Sequence, residues 1–166
     1  MKLNSIYIIG LFCGLLTACG SSKSLFESST LLQEYAFEEI ELQQKEGPRP
    51  LLVFLHADWC NYCQHMKQGT FRNPEVIAAL NKDFYFVSFN GESQQSVQFA
   101  GQEFRFEATG RNIGVHRLAK TLGSEQGELV YPAVVILNAQ NEVLFRHQAY
   151  LDAEALLTIL HAVPKS

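Results

Sequence analysis

The sequence predicts an α/β fold: a central mixed sheet covered by helices on both faces, with an inserted hairpin-like segment. Three observations carry that expectation. Two short apolar runs, Leu51-Leu52-Val53-Phe54-Leu55 and Ala133-Val134-Val135-Ile136-Leu137, have the unbroken hydrophobicity of strands buried on both faces. Segments of helical period are interleaved with the strands, which calls for crossovers and a parallel pairing early in the chain. The last two strands are separated only by Asn138-Ala139-Gln140-Asn141, a turn that makes them an antiparallel hairpin.

The elements follow in order. Across residues 31–45, Leu32, Tyr35, Ala36, Ile40 and Leu42 fall at roughly helical spacing, and Gly47-Pro48-Arg49-Pro50 ends the helix before the 51–55 strand. Residues 60–70 read as helix and residues 74–80 as a shorter one, with Asn73 as N-cap and Pro74 at its first position. Phe84-Tyr85-Phe86-Val87-Ser88-Phe89 is aromatic and β-branched, hence strand, and Phe84, Phe86 and Phe89 are core. An insertion of about residues 93–110 contains a hairpin over residues 97–106, in which Phe99, Phe104 and Phe106 form either a local core or a partner surface. A helix from residue 112 or 113 through Leu122 stops at Gly123. Residues 142–150 pair with the 133–137 strand, and Asp152 caps a last helix through His161.

The ends carry different information. Lys2, the apolar run from Ile6 to Phe12 and small residues ahead of Cys19 have the layout of an export signal. The run is short and interrupted by Gly10, whereas a membrane span takes roughly 20 apolar residues. We expect a signal peptide over residues 1–18 that is removed. Leu16-Thr17-Ala18-Cys19 resembles the lipobox of bacterial lipoproteins. That resemblance implies a lipid on Cys19, attachment to a membrane and a periplasm-facing place in the bacterial cell envelope; Gly20 resembles an outer-membrane sorting signal. Residues 19–30 are small and polar, as in a flexible tether, and residues 31–166 suit one domain, expected as a monomer. With 47% hydrophobic residues and a net charge of -4, nothing basic enough for a nucleic-acid surface is present.

Export implies an oxidising compartment. Cys13 leaves with the signal and Cys19 carries lipid, so the mature chain retains Cys60 and Cys63. A bond between them closes a very small loop, where loop-closure stabilisation is least, so the pair is a poor staple and a plausible redox couple. Trp59-Cys60-Asn61-Tyr62-Cys63 follows a buried strand and opens a helix. Free N–H groups and the macrodipole at a helix N-terminus favour an anion, so the Cys60 thiol sheds its proton more readily than a free cysteine. The thiolate attacks a disulfide, and Cys63, one turn further on the same face, attacks back; the exchange needs no cofactor.

Residues 51–71, with Ala57-Asp58-Trp59-Cys60 and the following Thr70-Phe71-Arg72-Asn73-Pro74-Glu75-Val76, resemble the thioredoxin family. The nearest likeness is to the C-terminal thioredoxin-like domain of the periplasmic thiol:disulfide interchange reductases, and Tyr131-Pro132 resembles the family's cis-proline step. The similarity spans roughly residues 32–162 apart from the insertion. It implies a thioredoxin fold and a protein-disulfide oxidoreductase, with Cys60 attacking and Cys63 resolving. It also implies Trp59 packed over the dithiol, Tyr131 and Pro132 as the substrate-docking corner, and Asp58 in the place of a common acidic residue. Its partners would be exported protein thiols and disulfides and a further redox partner, with the chain acting as a reductase.

Two departures bear on direction. The family's buried carboxylate six residues before the first cysteine is Phe54 here, and the acidic residue that the interchange reductases carry four positions after the second cysteine is Lys67. Less negative surroundings stabilise thiolates and push a couple toward oxidising behaviour, so the direction of electron flow stays open. A competing reading is a binding module for metal handling or protein docking, because His56 and His65 flank the pair and thiolate plus imidazole suits zinc or copper. No second Cys-x-x-Cys exists to complete a structural zinc site, and no metal ligands are assigned. Gln64 stands where haem attachment needs histidine. His65 is read as a helix-surface residue able to support the dithiol by its charge, and His56 as either structural or supporting. His116, His147 and His161 are read as surface residues.

Overall fold

Residues 31–111 and 113–165 are described by the computed structural model. The expected signal peptide, the lipidation at Cys19 and the tether lie outside the described residues. The chain runs α1 (Phe37–Glu46), β1 (Leu51–His56), α2 (Asn61–Gln68), a single 3-10 turn (Thr70–Arg72), α3 (Pro74–Asp83) and β2 (Tyr85–Asn90). It continues with β3 (Val97–Phe99), β4 (Gln102–Phe104), β5 (Phe106–Gly110), β6 (Ile113–His116), α4 (Arg117–Gly123), β7 (Ala133–Leu137), β8 (Val143–His147) and α5 (Ala153–Ala162). The central sheet has the order β2-β1-β7-β8, with β1 parallel to β2 and the remaining pairs antiparallel. No helix among the described residues is long and apolar enough to cross a membrane.

The interior position of β1 explains its unbroken hydrophobicity. Leu52 and Phe54 point into a core shared with Met66, Val76, Leu80, Leu156 and Leu160, on the α2, α3 and α5 face. Leu51, Val53 and Leu55 point the other way, against Phe37, Ile40, Leu118 and Leu122 of α1 and α4. Strand period two therefore feeds two cores from one segment, and each fully buried Leu or Phe contributes roughly 1.5–3 kcal/mol. The helix starts follow their caps. Asn73 Oδ1 accepts the Glu75 and Val76 amides ahead of Pro74, and Asp152 Oδ1 accepts the Ala155 amide.

Four expectations need correction. The first helix begins at Phe37, not residue 31, because the Tyr35 amide donates to the Phe86 carbonyl at 2.9 Å and the Gln33 amide to Asn81 Oδ1 at 2.8 Å. Those tertiary bonds hold the preceding segment out of the helix, and the Glu39 carboxylate then caps the Ala36 amide. The insertion holds two hairpins where one was expected: β3–β4, turning through Ala100 and Gly101 at φ 51° and 72°, and β5–β6. Two successive left-handed residues suit a two-residue hairpin turn. Finally, Ile113–His116 is strand and only Arg117–Gly123 is helix, since pairing with β5 claims residues of ambiguous period. His116, read as a surface residue, is fully buried, and its Nδ1 accepts the Leu118 amide as the cap of α4. Phe99 and Phe104 are core, packed against the α1 side of the sheet. His161 is exposed and His147 half-buried.

Candidate active site

β1 ends at His56, and Ala57, Asp58 and Trp59 carry the chain to Cys60, the N-cap of α2 with extended backbone. The Cys63 amide donates to Cys60 Sγ at 3.1 Å. Cys60 and Cys63 are joined by a disulfide, with an S–S distance of 2.11 Å and Cα atoms 5.2 Å apart. Cys60 is 4% exposed and Cys63 fully buried, so the Cys60 sulfur is the one a partner can reach. The helix amide donated to Cys60 Sγ and the positive end of α2 are both features that favour a thiolate at that sulfur. Opening the bond takes up two electrons and two protons, and closing it returns them.

The sequence-expected residues fall on two sides of this bond. Trp59 was expected over the dithiol. Its side chain is 67% exposed and is fixed by an indole N–H donated to Glu92 Oε1 at 2.9 Å and an edge-on contact with Tyr131 at 6.1 Å. Asp58 is exposed beside it. The Tyr131-Pro132 peptide bond is cis. Tyr131 Oη is buried with no hydrogen-bond partner among the described residues, and burial, helped by the Glu92 charge, pushes its phenol up to about 12. It lies so close over Gly91 that a Cβ there would stand 2.0 Å from Oη, so any side chain at this position must displace the Tyr131 ring.

On the strand side, His56 is 6% exposed and stacks on Phe54 at 5.5 Å. Lys67 Nζ lies 3.2 Å from His56 Nδ1 and 3.1 Å from Nε2. Burial, and then the Lys67 charge, push the imidazole down from 6.5 to about 4, against the opposing pull of Asp58. His56 is therefore neutral near pH 7. With Glu34, Phe54 and Ser88, the pair lines an open cleft of about 980 Å³. His65 is exposed on the outer face of α2, sharing a hollow with Tyr62 and Tyr150. The two histidines that flank the dithiol in sequence are thus parted in space. Among the described residues no group of three or more His, Cys, Asp and Glu side chains gathers as a metal site, and the Lys67 ammonium stands where a cation would have to approach His56.

Gly91 and Glu92 escaped the sequence reading. Both contact site residues, yet they follow β2 with no motif to mark them, and only the tertiary approach to Trp59 and Tyr131 gives them meaning.

The family described as a thioredoxin-like domain matches residues 36–164. No curated protein sequence matches the chain. Among solved structures, a thioredoxin from Thermus thermophilus is similar with a TM-score of 0.55 at 23% identity, over 78% of this chain and 85% of that one. A DsbH oxidoreductase is similar with a TM-score of 0.54 at 18% identity, over 80% and 83% respectively. The oxidised C-terminal domain of DsbD from Neisseria meningitidis has a TM-score of 0.51 at 18% identity, over 78% and 97%. At these identities the likeness is one of fold.

Proposed function

The chain belongs to the thioredoxin-like domain family, and on that premise we propose that it is a protein-disulfide oxidoreductase of the bacterial cell envelope, held to the membrane by lipid on Cys19 and acting as a reductase of exported proteins. The observation that carries this reading is the sulfur of Cys60 at the N-cap of α2, accepting the Cys63 amide and bonded to Cys63. In the reduced protein the Cys60 thiolate attacks a substrate disulfide, forming a mixed disulfide and releasing one substrate thiolate, which takes a proton. Cys63, losing its proton, attacks Cys60 Sγ and releases the second substrate sulfur as a thiol. The substrate is reduced, the Cys60–Cys63 disulfide is restored, and a partner dithiol then reduces the pair again. The envelope location and lipid rest on Leu16-Thr17-Ala18-Cys19.

Insulin reduction with dithiothreitol tests the activity. The wild type accelerates precipitation of the insulin B chain, and Cys60→Ser falls to the uncatalysed rate. Equal rates for the two, or stoichiometric zinc or copper retention without turnover, would reject the enzyme. Membrane fractionation tests the anchor separately, since Cys19→Ser should move the protein to the soluble fraction.

A further inference from the structure

Beside Cys60, the insertion adds a wall that the central sheet and its helices do not supply. Gly91 ties the two together: its amide donates to the His56 carbonyl at 2.8 Å, and its carbonyl accepts the His116 amide at 2.7 Å. His116 in turn uses both ring nitrogens, Nδ1 accepting the Leu118 amide and Nε2 donating to the Gln95 carbonyl at 3.1 Å. Within the β5–β6 hairpin Gly114 is packed so tightly that a Cβ would fall 2.3 Å from the Glu107 carbonyl oxygen and 2.5 Å from the Phe106 ring. The hairpin is thereby held in one position relative to the dithiol loop.

Between it and that loop lies a pocket of about 350 Å³, lined by Trp59, Glu92, Gln94, Phe106, Ile113 and Gly114. Trp59 and Ile113 are each 67% exposed, so two large apolar side chains face solvent at its walls. Among the described residues Glu92 is the one ionisable side chain lining it. One carboxylate oxygen accepts the Trp59 indole N–H, and the other takes no hydrogen bond from the described residues. Nearby, Asp58 precedes Trp59 and Glu107 lies on β5, both exposed and of the same sign. Of the basic side chains on the insertion, Arg105 is engaged by Glu103 at 2.7 Å and Arg111 sits exposed at the β5–β6 turn. Apolar walls ending on a single carboxylate, with an indole face alongside, suit a long aliphatic stem that terminates in a cation.

We propose that this pocket receives an arginine or lysine side chain of the substrate polypeptide, close in sequence to the cysteine that Cys60 attacks. The stem lies across Trp59 and Ile113, and the cation pairs with Glu92. The insertion thus selects basic segments, and the inference rests on the reading of the chain as an oxidoreductase acting on proteins.

The test compares peptides that differ only in the residues flanking one cysteine, arginine, alanine or glutamate, each presented as a mixed disulfide with glutathione to the reduced full chain. The arginine peptide is expected to react about tenfold faster than the glutamate peptide at low salt, with alanine between. The ratio should fall below about threefold at high ionic strength, in Glu92→Gln and in Ile113→Lys, which places a competing cation on an exposed position. Glu154→Gln, an equal loss of charge on α5, should keep the tenfold ratio. Equal rates for the three peptides, or a ratio unchanged in both pocket variants, would overturn the proposal. A ratio lost equally in Glu154→Gln would also overturn it, by assigning the preference to net charge. Failure to reduce any peptide, together with failure on insulin, would instead reject the oxidoreductase reading beneath it.

Discussion

On the Cys60 side of the dithiol, Trp59, Glu92 and Tyr131 form an open wall with exposed aromatic surface and a carboxylate. On the Cys63 side, Phe54 and His56 of β1 are buried, and Lys67 of α2, one helical turn after Cys63, brings its ammonium against His56. The first side has the chemistry of a contact surface, and the second has the burial and charge that set the energies of the dithiol and of the fold. The proposed function assigns recognition and energetics to different residues, and substitutions on the two sides should separate them.

The largest contrast is in stability. Phe54→Ala opens a cavity in a fully buried core and should cost about 3–5 kcal/mol in denaturant unfolding, whereas Trp59→Ala removes exposed surface and should cost under about 1 kcal/mol. Equal costs would erase the distinction.

Next in size is a pH effect confined to the strand side. The His56 imidazole is pushed from 6.5 to about 4 in the folded protein, so between those values the unfolded chain binds the proton that the folded one refuses. Stability contributed by the neutral ring is full above pH 6.5 and is lost as the pH falls toward 4, by about 2–3 kcal/mol. Unfolding midpoints measured over that range should drop, and the drop should shrink in His56→Gln. A wild-type profile as flat as the variant's would contradict the assignment.

The smallest effect sharpens the comparison at the dithiol itself. Lys67→Glu replaces a thiolate-stabilising charge by a repelling one, destabilises the reduced form, and should lower the reduction potential by about 30 mV in a glutathione equilibrium. An unchanged or raised potential would remove Lys67 from the energetics of the site.

What the sequence disclosed follows the same division. β1, β7 and α2 were legible because apolar runs, a cap and a Cys-x-x-Cys at a strand-to-helix junction are local signals. Phe54 and Lys67 were legible as departures from a family pattern. The β5–β6 hairpin was not, because Ile113, Val115 and Leu118 fit a helix as well as a strand until pairing with β5 decides. Nor was the role of His116, whose burial comes from bonds to Gln95 and Leu118, or that of Glu92, brought to Trp59 by a loop. Local chemistry announced the reacting sulfurs, and long-range contacts built what surrounds them.

The most direct test of the account is alkylation of the reduced full chain at pH 6, followed residue by residue. Cys60 should be modified first, at least about tenfold faster than a cysteine in an unstructured peptide, with Cys63 protected until the protein unfolds. Equal labelling of the two cysteines at the rate of the free peptide would contradict the claim that the start of α2 holds Cys60 as an attacking thiolate.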